Sequence, residues 1–122
     1  MKRYRYWLLV SVLAAGSASA LDRGDAQLEL AQAINAVQSA ERDDAARYAP
    51  ADLDEAHAML GSAQRAADDR SWTETATFSE RAKVAGDLAS ARSRQQRAEA
   101  ATTEIERSLD TLKAQISTGG VR

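Results

Sequence analysis

Few side chains in this 122-residue chain are of a kind and spacing that does chemistry. His57 is the sole histidine, and Asp54 stands three residues before it. On a helix the two share a face. One imidazole and one carboxylate fall short of the three or four ligands that a zinc site takes, so His57 reads as a helix-face residue. Cysteine is absent, which removes thiol nucleophiles, redox pairs and thiolate metal sites. The carboxylates fall at helix starts and on polar faces rather than in acid/base pairs. There is no glycine-rich phosphate loop and no serine nucleophile motif. Arg23-Gly24-Asp25 spells a cell-adhesion tripeptide, but it stands at a helix start, where Asp and Gly are expected for capping. No catalytic residue, metal site or cofactor is expected, and the chain reads as non-catalytic.

Two larger groupings carry more information. The first is a basic run, Arg81, Lys83, Arg92, Arg94 and Arg97, broken by one acid, Asp87. Residues 22–56 are the converse, with nine acids and three bases. The run is read as a face paired with those acids inside one bundle, or as a solvated face. The alternative is a docking face for an anionic envelope component: a phospholipid headgroup, lipopolysaccharide or an acidic cell-wall polymer. Single-stranded nucleic acid would need interleaved aromatics, and none is there. Trp72, Phe78 and Tyr48 are expected to pack at one or both ends of a bundle, with ligand stacking as the alternative.

The second grouping is a seam. Leu88, Ala91, Gln95, Ala98, Thr102, Ile105, Leu109, Leu112 and Ile116 alternate steps of three and four without interruption. That is the a/d pattern of a coiled coil over more than four heptads. Its middle is polar or small and its C-terminal end strongly apolar. Leu88, Ala91, Ile105, Leu109, Leu112 and Ile116 are therefore the candidate interaction residues. Burying each large one is worth roughly 1.5–3 kcal/mol, so either self-association or a partner helix is expected.

The elements that hold these groups follow from punctuation. Lys2, Arg3 and Arg5 precede an apolar core from Leu8 to Ala15, and Ala18-Ser19-Ala20 offers a cleavage site. This is a secretory signal, residues 1–20, expected to be cleaved after Ala20; a retained membrane anchor is the alternative. The destination is the periplasm or cell envelope. Without the three signal cations, 13 basic residues face 18 acidic ones, a balance opposed to general nucleic-acid binding.

Residues 21–122 are expected to form one all-α domain, an antiparallel three-helix bundle with a long, coiled-coil-like third helix. Alanine is abundant and the one proline is Pro50. Helix 1 is predicted over about 25–47, with Asp22 or Asp25 as N-cap and Leu30, Ala33, Ile34, Val37 and Ala40 on one face. Helix 2 starts at Pro50, which suits a first helical position, and runs to about 69 with Leu53, Ala56, Leu60, Ala63 and Ala67 as its stripe. Helix 3 opens on Ser71 and Glu74, spaced as a capping box, and meets no breaker until Gly119-Gly120. Over about 71–117 it would outreach its neighbours, so its second half projects unless helix 1 tilts to cover it. Gly86 is a lone interior glycine that costs about 1 kcal/mol against alanine.

Tyr48-Ala49-Pro50-Ala51-Asp52-Leu53, followed by Ala56, Leu60, Ala63, Ala66 and Ala67, resembles the helix start of bacterial envelope proteins grouped as domain of unknown function 4398. Trp72, Ala76, Ala82, Ala85 and Ala89 resemble the second alanine-rich helix of that family. The likeness spans about residues 26–100. It implies an exported helical domain, often a lipoprotein and sometimes joined to a peptidoglycan-binding domain. This chain departs from the pattern: it has no lipidation cysteine, its length suits a single domain, and Asp69-Arg70-Ser71-Trp72 stands where a Gly-Asp-Tyr-like turn is usual. The resemblance implies no activity.

Overall fold

A computed structural model describes residues 22–120. Four helices make up the described chain: α1 (Arg23–Arg42), α2 (Ala45–Tyr48), α3 (Pro50–Asp68) and α4 (Trp72–Gly119). The fold is all-α, with no strand among the described residues. The expected signal segment lies outside them. No described helix is long and apolar enough to cross a membrane.

The N-terminal helix is shorter than the sequence implies. It stops at Arg42, and Asp44 takes a left-handed backbone at φ 62° before the single turn of α2. Asp is among the few residues that tolerate this conformation. The break is reinforced from outside: Ser93 Oγ donates to the Asp43 carbonyl and Ser90 Oγ to the Asp43 carboxylate. Periodicity alone could not reveal it, because Ala45 and Ala49 resume burial on the far side of the break.

Pro50 opens α3 at its first turn as expected. The helix closes on Arg70, left-handed at φ 59°. The Ser71 amide bonds to the Ala66 carbonyl and the Arg70 amide to that of Ala67, the crossed pair of bonds that ends a helix with a left-handed residue. Ser71 is the N-cap of α4, but the expected capping box does not form, since its side chain makes no cap bond. Instead the Ser71 carbonyl accepts both the amide and the hydroxyl of Thr75.

The third long helix is continuous over 48 residues, about 72 Å at 1.5 Å per residue. It is the spine of the fold. It packs extensively against both α1 and α3, which touch each other much less. Lys83 reaches Gln32 of α1, and further along Arg97 reaches Asp44, so α1 and α4 run parallel. Arg92 meets Asp52 at the start of α3, so α3 and α4 run antiparallel. The core is small: Val37, Ala40, Ala45, Ala49, Leu53, Ala56 and Ala89 cluster, with Leu60 and Ala85 packed against them.

Candidate functional site

Two faces of α4 matter, and they are not the same face. Against the bundle it buries Thr75, Ser79, Ala82, Gly86, Ala89 and Ser93, spaced by steps of four and three. Every one is small. Small residues let helix axes approach closely, and here they do: a Cβ on Gly86 would stand 2.9 Å from the Ala36 carbonyl carbon and 3.0 Å from the Val37 nitrogen. The interior glycine thus has a packing reason that outweighs its helix propensity. Ser79 Oγ is buried there without a hydrogen-bond partner.

Sequence reasoning missed this inner seam, because the weight of apolar residues lay elsewhere. Its signal was the 4-3-4-3-4 run of Thr, Ser, Ala, Gly, Ala and Ser, which hydrophobicity does not register. Past Ser93 the same register passes through Gln96, Ala100, Thr103, Arg107 and Asp110. It offers nothing to pack against, and every residue from Arg94 to Gly120 is exposed.

The apolar seam lies two residues further round, Leu88 against Gly86 and Gln95 against Ser93. That is about 200° on a helix of 3.6 residues per turn, so the seam turns away from α1, although Val84 and Leu88 border a groove with Glu55 and Met59 of α3. The structure places Leu88, Ala91, Ile105, Leu109, Leu112 and Ile116 on this outer face, all exposed. Val84, at 62% exposure, extends it towards the N-terminus, and Ile116 reaches 74%. The projection is as expected: the bundle ends near Arg97, and no other described helix covers the second half of α4.

The basic run divides. Arg92 Nη1 lies 2.5 Å from Asp52, Arg94 Nε 3.4 Å from Asp43, and Arg97 Nη1 3.4 Å from Asp44. The hydrogen bond to Asp52, and then its charge, raise the Arg92 pKa above the ordinary guanidinium value. Lys83 donates to Gln32 at 3.0 Å, and Arg81 lies over the Phe78 ring. The acidic N-terminal region and the basic run therefore meet inside one molecule. Arg94 and Arg97 also clasp the Asp43-Asp44 break, and with Ser90 and Ser93 they tie the end of α1 to the last bundled turn of α4.

The aromatics sit at opposite ends. Trp72 is half-buried with Arg23 stacked 5.7 Å from its ring centre, and Tyr48 is half-buried with Arg47 at 5.1 Å. His57 Nε2 lies 2.9 Å from Glu41 of α1, a cross-helix contact rather than the Asp54 pairing that sequence proximity offers. Among the described residues no three His, Asp or Glu side chains converge as a metal site would require.

These features define a class: an all-α bundle of three long helices whose last helix carries a bundle seam on one side and an exposed apolar stripe on the other. The chain belongs to the family described as Domain of unknown function (DUF4398), whose model matches residues 28–105. No curated protein and no solved structure matches it. The match starts at Leu28 within α1 and ends at Ile105, so Leu109, Leu112 and Ile116 lie beyond it.

Proposed function

We propose that this protein is a non-catalytic helical module of the bacterial cell envelope, exported by residues 1–20, which assembles through the outer stripe of α4. The observation that carries the reading is the exposure of Ile105, Leu109, Leu112 and Ile116 along one unbroken face of a helix that no other described element covers. Four large aliphatic side chains in heptad register are a costly thing to leave in water, at roughly 1.5–3 kcal/mol each. The envelope location rests on the charged, apolar and small-residue order of the first twenty residues.

The competing role, recognition of an anionic envelope ligand by Arg81, Lys83, Arg92, Arg94 and Arg97, finds less support. Three of those cations already face carboxylates of their own chain.

Molar mass by light scattering over a dilution series tests the proposal. The chain should be a dimer or larger, and Leu109→Asp with Leu112→Asp should make it a monomer. A wild-type chain that stays monomeric at every concentration would rule out self-assembly, and an envelope pull-down would then seek a partner helix. Salt-sensitive binding to anionic vesicles, lost in an Arg92→Gln, Arg94→Gln, Arg97→Gln variant, would favour the competing role.

A further inference from the structure

We infer that the occupant of the outer stripe is a second copy of the same helix, paired parallel and in register as a two-stranded coiled coil. This rests on the assembly proposed above and adds its partner, direction and alignment. In heptad terms Leu88, Gln95, Thr102, Leu109 and Ile116 occupy a, and Ala91, Ala98, Ile105 and Leu112 occupy d.

The first argument is layer matching. In a parallel, in-register pair each layer meets itself. Gln95 faces Gln95 and Thr102 faces Thr102 of the second copy, so polar groups find polar groups and large aliphatics meet large aliphatics. In an antiparallel pair a layers face d layers. Centred so that Ile105 meets Leu109, that arrangement sets Thr102 against Leu112 and Gln95 against Gly119; shifted by one heptad so that Leu109 meets Leu112 and Ile105 meets Ile116, it pairs only Thr102 to Gly119 and leaves Leu88, Ala91, Gln95 and Ala98 without a facing layer. A polar side chain buried against an apolar one loses its hydrogen bonds to water without replacement. Polar residues at a positions are among the devices that fix coiled-coil register.

The second argument is charge. The g and e positions flanking the stripe are Asp87, Arg94, Ala101 and Ser108, and Arg92, Glu99, Glu106 and Lys113. A parallel pair brings each g beside the next e of the second copy. Asp87 meets Arg92, Arg94 meets Glu99, and no like charges meet. The antiparallel pair centred on Ile105 and Leu109 joins Glu99 to Lys113 but sets Glu106 against Glu106, whereas the one shifted by a heptad joins Glu106 to Lys113, so charge opposes only the first. Arg92 contacts Asp52 through one nitrogen, and the guanidinium has further donors to offer. The Arg94 side chain is 62% exposed.

Sterics agree with both. The stripe from Gln95 to Ile116 is exposed throughout, so two copies can join along it beyond their bundles, while Leu88 borders a groove against α3. The pair is then a rod with both bundles at one end and both C-termini at the other.

Because cysteine is absent, single introduced cysteines report alignment without background. A disulfide forms only where Cα atoms approach within about 7 Å. In the full chain Thr102→Cys should convert almost wholly to a linked dimer under mild oxidation, and Glu106→Cys should remain unlinked. Adding Leu112→Asp to Thr102→Cys should abolish the link, since it acts through the seam. The reverse pattern, with Glu106→Cys linking and Thr102→Cys not, would overturn the parallel pairing while leaving self-assembly intact. A dimer by light scattering in which neither cysteine links would overturn the parallel, in-register pairing. A monomer throughout would remove the assembly itself. A linked Thr102→Cys species with the mass of a trimer or larger would refute the two-stranded form.

Discussion

The two halves of α4 follow opposite rules. From Trp72 to Ser93 the helix hides its smallest residues and leaves Val84 and Leu88 outside. From Arg94 to Gly119 it hides nothing, although its largest aliphatic residues, Ile105, Leu109, Leu112 and Ile116, lie there. A hydrophobicity plot would put the core in the second half. The structure puts it in the first, because close approach of backbones needs small side chains at the contact. Burial within this fold is governed by what fits between α1 and α4, and the larger residues stay uncovered among the described residues.

The largest effect expected from this contrast comes from the outer half. Leu109→Asp with Leu112→Asp should abolish association in light scattering. Circular dichroism of the resulting monomer should show the bundle still melting cooperatively, because neither residue touches it. A bundle that collapses along with the association would mean that the halves are not independent.

Gly86→Ala should come next. The added methyl lands against the Ala36 backbone at 2.9 Å, and overpacking of this kind typically costs 1–3 kcal/mol, more than alanine's helix preference of about 1 kcal/mol returns. Urea unfolding should show the loss. A more stable variant would mean that α1 can shift away at little cost.

Asp43→Ala should lower stability by about 1–3 kcal/mol, since it leaves the Ser90 hydroxyl without its acceptor. Ser108→Ala, on the exposed half, where the hydroxyl bonds only to its own helix, should leave the unfolding midpoint where it was. Equal losses from the two would erase the contrast between the halves.

The smallest effect expected has the opposite sign. Ser79 Oγ is buried without a partner, so Ser79→Ala should raise stability by about 1 kcal/mol, read as a higher melting temperature. A loss would show that the hydroxyl is in use.

Much of the architecture was legible beforehand, and for local reasons. Pro50 marks a helix start because its ring presets the backbone and its missing N–H is not wanted there. The absence of breakers between Ser71 and Gly119 announces one long helix, and three-four spacing identified the buried faces of Leu53, Ala56 and Ala63. The meeting of acidic and basic regions was foreseeable from their opposite charges. The Asp43-Asp44 break was not, because it depends on Ser90, Ser93 and Arg94, residues nearly fifty positions away. Nor was the His57–Glu41 contact, which joins separate helices. The absent capping box shows that even a well-spaced local motif is one choice among several for a backbone donor.

Helix content, helix order and the presence of two periodic stripes on α4 are properties of the chain alone, since each depends on backbone preferences and spacings within a few residues. Which stripe faces inward is a tertiary matter. Both obey the three-four rule, and periodicity cannot rank them. The choice falls to the stripe whose side chains let α4 lie against Ala36 and Val37 while its serines tether the end of α1. The stripe of Leu88, Ile105, Leu109, Leu112 and Ile116 is too bulky for that contact. It faces outward, where it can serve another chain.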